Sequence, residues 1–161
     1  GVGLTLCLRD GALLGEARRL AAEYRGHILR EIGLLRERSV AMKNIRYLKM
    51  ENMEAGAIVS GLGIRYLFTD QPLVTLNHKD EMVKISARGT KPLIARGLDL
   101  SVALKSAAEA VGGAGGGHTI ASGASVPPGM EDKFLSLVDE IVGSQLGKDA
   151  TEKASVSEDG L

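Results

Sequence analysis

The sequence predicts an α/β (α+β) fold in which a mixed β-sheet is flanked by helices and preceded by a long connecting helix. Strand-like and helix-like periodicities follow one another in the order β-α-β-β-α-β-α, which is typical of helices packed on a sheet. The 161 residues are 44% hydrophobic, which is enough for one domain with a buried core. Only 3% of them are aromatic, so we expect this core to be aliphatic.

The individual elements are predicted from their hydrophobic spacing. The first eight residues alternate like a strand, and residues 12–38 repeat apolar side chains at helical steps. A helix of roughly 25 residues spans about 37 Å, which is long for a small domain, so we interpret it as a connector. The remaining predicted elements are a strand at 44–51, a helix at 54–68, a hairpin at 73–88, a helix at 100–111, a strand at 119–126 and a helix at 130–142.

The composition excludes several classes of protein. Twenty basic and twenty acidic residues leave no net charge, so an anion must be held at a local site rather than by a broad positive field. The single cysteine, Cys7, can form neither an internal disulfide nor a CxxC zinc module. No apolar stretch reaches the roughly 18 residues that span a bilayer, and no secretory leader is evident. We therefore expect a cytoplasmic protein without a membrane partner.

A glycine run lies before the predicted strand at 119–126. Five of the six residues 112–117 are glycine, and His118 follows them. We predict a loop whose successive amides form a nest for one phosphate or carboxylate, with the imidazole beside it. The run lacks both the Gly-Lys-Ser/Thr of a P-loop and the spacing of a dinucleotide fingerprint. A flexible hairpin loop or linker is the alternative interpretation.

The second half of the predicted hairpin carries a row of polar side chains. A two-residue period places Lys84, Ser86 and Arg88 on one face, about 13 Å from first to last. Such donors could follow the phosphates of an extended single strand, and an ordinary solvent-facing surface is the alternative. Aromatic residues do not interleave with these bases, which disfavours a stacking platform. Three further bases lie close in sequence: Lys91, Arg96 and Lys105.

The sequence offers no evident catalytic machinery. It contains no Ser-His-Asp arrangement and no Asp-x-Asp or His-rich cluster that could hold two metal ions. His27 and His78 have no metal-ligand spacing with His118 or Cys7. We therefore predict no catalytic residue, no cofactor and no metal ligand within these residues.

Two motifs resemble one known family. The strand Val83–Arg88, an Ala-rich helix and then Gly-Gly-Ala-Gly-Gly-Gly-His-Thr-Ile-Ala-Ser-Gly-Ala resemble the DHH-associated domain. This is the C-terminal substrate-binding domain of DHH-family phosphoesterases, and the likeness is greatest to archaeal RecJ-like single-strand-specific exonucleases. It covers residues 43–146. Residues 11–42 resemble the family's connecting helix and 1–10 the end of its catalytic domain, whereas 147–161 are expected to be a disordered tail.

The resemblance implies which residues hold a nucleic-acid backbone. The family's serine, arginine and glycine–histidine loop correspond to Ser86, Arg88, Gly115, Gly116, Gly117 and His118, with Lys84 as a possible auxiliary. The family's manganese or magnesium ligands lie in an N-terminal DHH domain, so the metal is expected outside these residues. Ser122 departs from the pattern, since the family usually has alanine there.

The resemblance also implies the function. It predicts the single-stranded DNA- or RNA-binding domain of a manganese-dependent phosphodiesterase or exonuclease of RecJ-like type. The alternatives are a tRNA-binding accessory domain like that of alanyl-tRNA synthetases, and a nanoRNase or cyclic-dinucleotide phosphodiesterase module. Because archaeal RecJ-like proteins associate with the GINS complex, replication proteins are possible partners.

Overall fold

The computed structural model describes residues 11–50, 61, 63–65 and 67–158. The chain divides into two compact units, Gly1–Leu34 and Leu35–Leu161. Helix α1, Gly11–Arg38, is the described part of the first unit and ends in the second. Its bounds agree with the helix predicted at 12–38, and a short strand follows it directly. The strand predicted at residues 1–8 lies outside the described residues.

The second unit is built on one six-stranded sheet in the order β1-β2-β3-β4-β6-β5. Its strands are β1 (Val40–Ala41), β2 (Arg46–Met50), β3 (Leu73–Lys79), β4 (Met82–Arg88), β5 (Ala114–Gly117) and β6 (Ala121–Val126). Strands β2 and β3 are parallel, and the other neighbours are antiparallel. The predicted mixed sheet with flanking helices is therefore confirmed.

The hairpin predicted at 73–88 is also confirmed. Strands β3 and β4 pair along their whole length, from Leu73 opposite Arg88 to Lys79 opposite Met82. Asp80 adopts the left-handed conformation, with φ of 57°, which lets two residues reverse the chain.

One face of the sheet is covered by three helices: α2 (Lys91–Ala95), α3 (Leu100–Ala110) and α4 (Glu131–Glu158). From β4, the side chains of Val83, Ile85 and Ala87 enter this core, and each is at most 5% exposed. Leu104 of α3 and Phe134 of α4 are fully buried against them. The apolar side of β4 is thus committed to packing, as its two-residue period predicts.

Helix α3 begins at the residue that the sequence indicates. The Asp99 carboxylate accepts a hydrogen bond from the Val102 amide at 3.1 Å, and the Ser101 hydroxyl donates to it at 2.6 Å. The Ser101 hydrogen bond holds the pKa of Asp99 below its ordinary value, since it stabilises the charged form. The Gln145 side chain pairs with the backbone of Asp99 through two 3.0 Å hydrogen bonds, which fixes α3 to α4.

Helix α4 continues to Glu158, although a disordered tail was expected from residue 147. The segment contains no proline, and its alanine, lysine and glutamate residues favour a helix, so continuation from the packed first half has no strong breaker to overcome. In the first half of α4, the Asp139 carboxylate accepts hydrogen bonds from the backbone amides of Asn44 and Ile45 at 2.7 and 2.9 Å. This ties the helix to the start of β2.

Among the described residues, those that cover the second face of the sheet lie over β2 and β3. Leu48 of β2 packs against Leu35, and Leu73 of β3 packs against Ile64 and Phe68. Residues 61 and 63–65 are helical, as predicted for 54–68, while 51–60 lie outside the described residues. We call the uncovered remainder, formed by β4, β6 and β5, the open half-face. None of the described helices has the length and hydropathy to cross a membrane.

Candidate functional site

The open half-face carries the polar row predicted on β4. Lys84 and Arg88 are exposed and Ser86 is half-buried, whereas the apolar residues that alternate with them are buried. The Thr75 hydroxyl donates to the carbonyl oxygen of Ser86 at 3.2 Å, so the middle of the row is also fixed to β3. The structure therefore brings these three residues together on one accessible surface, and we call them the polar row.

The strands beside Ser86 leave the surface open. Ser86 lies opposite Gly123 of β6, which in turn lies opposite Gly116 of β5. A Cβ atom on Gly116 would have no heavy atom within 4 Å, and one on Gly123 would meet only the Ile85 carbonyl oxygen, at 3.4 Å. Because neither neighbour has a side chain, a ligand can approach Ser86 across two strands.

Each end of the polar row meets a different neighbour. The Lys84 ammonium donates to the Ser125 hydroxyl at 2.7 Å across the β4–β6 pair. Arg88 lies opposite Ala121, which exchanges backbone hydrogen bonds of 2.8 and 3.2 Å with His118. Arg88 and His118 thus share one row of the sheet, with backbones separated by two strand spacings, roughly 10 Å. Both can contact one extended ligand.

The glycine run is a strand rather than the predicted loop. Ala114–Gly117 forms the edge strand β5 and pairs with β6. A Cβ atom on Gly115 would come within 2.8 Å of the Leu104 carbonyl oxygen, because helix α3 passes directly against this strand. The prediction of a nest is therefore wrong in geometry. Because glycine has no side chain, α3 and β5 can approach each other closely here. A glycine-rich composition is equally compatible with a flexible loop, so it does not by itself predict this packing.

The edge strand nevertheless provides amide donors. Because His118 and Ala121 form a hydrogen-bonded pair, the alternation of an antiparallel ladder directs the amides of Gly117 and Gly115 away from β6. These two N–H groups lie along the outer edge of the sheet, next to the exposed His118. An edge of this kind can hold an anion, so the donors that the nest was expected to supply are present in another arrangement.

The turn at residues 118–121 is fixed by hydrogen bonds that its carbonyl oxygens accept. The Ser122 hydroxyl donates to the carbonyl oxygen of His118 at 2.8 Å, and the Gly89 amide donates to that of Ile120 at 2.9 Å. Ser122 is only 6% exposed. The serine that departs from the family's alanine therefore has a structural account, since it anchors the residue that bears the imidazole.

Among the described residues, no ion pair neutralises the charge of the polar row. The ion pairs recorded among the described residues join Arg19 to Glu16 and Glu23, and His78 to Glu131. None of them includes Lys84 or Arg88. The open half-face therefore presents two cations, a serine hydroxyl and edge amides, a donor set that suits a ligand with more than one anionic group.

The three other bases of the predicted cluster do not join this surface. Lys105 is exposed on α3, which covers the opposite face of the sheet. Arg96 follows α2 and lines a different cleft, beside Lys43 and Asp70. Lys91 lies just beyond Arg88 and lines a cleft that continues the open half-face. Sequence proximity therefore overstated the size of the basic cluster.

Two features of the site escaped the sequence analysis. Ser125 binds Lys84, and the period of two along β6 could have indicated it, because Gly123 and Ser125 lie on the same face. The start of α2 was also missed, although Thr90 caps it and Pro92 follows in the first turn, a combination typical of helix N-termini. Within the described ranges, no three His, Cys, Asp or Glu side chains cluster as a metal site would require.

Comparison with known proteins identifies the family. Residues 45–144 match the DHHA1 domain. The chain belongs to the DHHA1 domain family. This DHHA1 domain chain is 37% identical, over 148 residues, to an uncharacterized protein of Methanocaldococcus jannaschii, with 90% of the chain and 32% of that protein covered. It therefore spans about a third of the length of this relative.

Two solved structures share the fold of the DHHA1 domain. The C-Ala domain of Aquifex aeolicus alanyl-tRNA synthetase has a TM-score of 0.54 and 14% identity, with 65% of this chain and 96% of that chain covered. RecJ from Thermus thermophilus in complex with Mn²⁺ has a TM-score of 0.53 and 22% identity, with 83% of this chain and 19% of that chain covered. The predicted family resemblance is thereby confirmed.

Proposed function

We propose that this DHHA1 domain holds the phosphate backbone of single-stranded DNA or RNA on its open half-face. The domain would serve as the substrate-binding part of a DHH-family phosphodiesterase or exonuclease of RecJ-like type. Manganese and the hydrolytic residues are assigned to a separate catalytic domain of such an enzyme. The observation that carries the proposal is the exposed polar row, which faces two glycine positions and has no carboxylate partner among the described residues.

The dimensions of the polar row suit successive phosphates. Lys84 and Arg88 are four residues apart on one strand, about 13 Å, or two phosphate spacings of an extended chain. Ser86 lies midway and can donate its hydroxyl to the phosphate between them. At the Arg88 end, the imidazole of His118 and the Gly117 amide can add donors. A surface of this kind reads the backbone rather than the base sequence.

Binding of a labelled single-stranded oligonucleotide, followed by fluorescence anisotropy at several salt concentrations, tests the proposal. Arg88→Ala should weaken binding by about tenfold or more, because a charge-assisted hydrogen bond to phosphate contributes about 1.5–3 kcal/mol. The salt slope should fall by about 0.7, the value for one lost phosphate contact. Arg96→Ala is the matched control, since this exposed arginine lies outside the open half-face. Equal affinities of the Arg88→Ala and Arg96→Ala variants would contradict the site.

Folded tRNA is a second candidate ligand. The match to the alanyl-tRNA synthetase C-Ala domain extends over 96% of that domain, with a TM-score of 0.54, which favours this alternative. Competition between tRNA and a short single-stranded oligonucleotide for the same labelled probe separates the two. We expect the single strand to compete at lower phosphate concentration.

A contact with replication proteins such as the GINS complex stays a prediction of the resemblance.

A further inference from the structure

A cleft of about 550 Å³ continues the open half-face beyond Arg88. One wall is formed by Ile64 and its helical neighbours, and the other by Ile120 at the tip of the β5–β6 turn. Residues 88–92 also line the cleft. Arg88 belongs to both the polar row and this cleft, so a ligand bound along the row reaches the cleft directly.

The lining of the cleft combines basic and apolar side chains. Arg88 and Lys91 contribute cations, and no acidic side chain is found among the described residues of the lining. Ile64, Pro92 and Ile120 contribute apolar surface between these charges. A ligand that matches both properties carries an anionic group joined to an apolar part.

Ile120 is placed as a contact residue rather than as part of the core. Its side chain is 38% exposed, although it is a large aliphatic residue. Its backbone is nevertheless fixed, because its carbonyl oxygen accepts the Gly89 amide at 2.9 Å and the turn closes through His118 and Ala121. A rigid, exposed aliphatic group at the rim of a cationic cleft loses little conformational entropy when a ligand packs on it.

We infer that this cleft takes the nucleoside, base and sugar together, of the nucleotide whose phosphate contacts Arg88. The inference depends on the proposed function, because the phosphate positions the nucleoside. The volume lies within the range of about 300–1,000 Å³ that is usual for small-molecule sites and leaves room for one nucleoside. The surrounding cations favour a nucleotide over an uncharged apolar peptide side chain.

Two oligomers with the same phosphates distinguish this contact from backbone binding. The first is a short deoxythymidine oligomer, and the second is its abasic counterpart. The 161-residue chain should bind the base-bearing oligomer about five- to tenfold more tightly, because the nucleoside buries apolar area. Ile120→Ser should remove this preference and leave the affinity for the abasic oligomer unchanged. Val102→Ser is the matched control, because Val102 is 49% exposed and lies outside the cleft.

The outcomes separate the two proposals. Failure of both oligomers to bind would overturn the proposed function, and the nucleoside contact with it. Equal binding of both oligomers, with Arg88→Ala weakening each, would leave the proposed function intact and overturn the cleft contact. Amide NMR shifts give a second readout. Ser86 and Gly123 should respond to both oligomers, whereas Gly89 and Ile120 should show a larger response to the base-bearing one.

Discussion

The covered half of one sheet face, on β2 and β3, and its open half, on β4, β6 and β5, perform different tasks. In the covered half, Leu48 and Leu73 are at most 4% exposed and pack against side chains from α1 and from three further residues, Ile64, Leu67 and Phe68. In the open half, the same rows of the sheet continue into Ser86 and Arg88 and then into Gly123 or Ala121. On this face, the fully buried side chains therefore end at β3, and the exposed hydrogen-bond donors begin at β4.

Two arginines show the same division. Arg46 and Arg88 lie on either side of Leu73 in one row of the sheet. The Arg46 guanidinium stacks over the Phe68 ring, 4.5 Å from its centroid, and donates to the Ser39 hydroxyl at 3.2 Å. Arg88 has no such partner recorded among the described residues. An arginine at this level of the sheet is thus structural where a cover exists and available for a ligand where none does.

The largest expected effect on stability comes from truncating a buried side chain in the covered half. Leu73→Ala should lower the free energy of unfolding by about 2–5 kcal/mol, because Leu73 is fully buried between Ile64 and Phe68. Arg88→Ala, at the next position in the row, should change it by less than about 0.5 kcal/mol. Urea denaturation followed by circular dichroism measures both. A comparable loss in the two variants would mean that the open half-face is part of the core.

Two glycines on neighbouring strands sharpen the comparison. Gly115→Ala should cost about 1–3 kcal/mol of stability, because its Cβ would come within 2.8 Å of the Leu104 backbone oxygen. Gly123→Ala should cost less than about 0.5 kcal/mol, since its Cβ would make only an ordinary contact. It should nevertheless weaken oligonucleotide binding severalfold, because the methyl group would stand beside Ser86. If Gly123→Ala keeps full affinity, the ligand does not cross β6 at this row.

The sequence predicts the open half-face better than the edge strand. Alternation along β4 is enough to separate Lys84, Ser86 and Arg88 from the buried side chains, because side-chain direction in a strand is a local property. The choice between loop and strand at residues 114–117 depends on how closely α3 approaches. That is a property of tertiary packing, and glycine has no side chain whose pattern could report it.

The cleft beside Arg88 was also beyond local reasoning. Its walls come from residues 64, 92 and 120, which are far apart in sequence and become neighbours only through the order of the strands. The boundary of the covered half has the same origin. No pattern within β3 or β4 predicts that Ile64 and Phe68 cover β3 and leave β4 open.

The smallest expected effect tests whether Arg46 is indeed structural. Arg46→Lys keeps the charge but removes the planar group that stacks on Phe68, so stability should fall by about 0.5–1 kcal/mol. Its affinity for a single-stranded oligonucleotide should stay within experimental error, whereas Arg88→Lys should lose the bidentate phosphate contact and bind more weakly. Chemical denaturation and anisotropy titrations on the same two variants give both quantities. If Arg46→Lys weakens binding as much as Arg88→Lys does, the ligand extends over the covered half, and the boundary between the two halves does not limit the site.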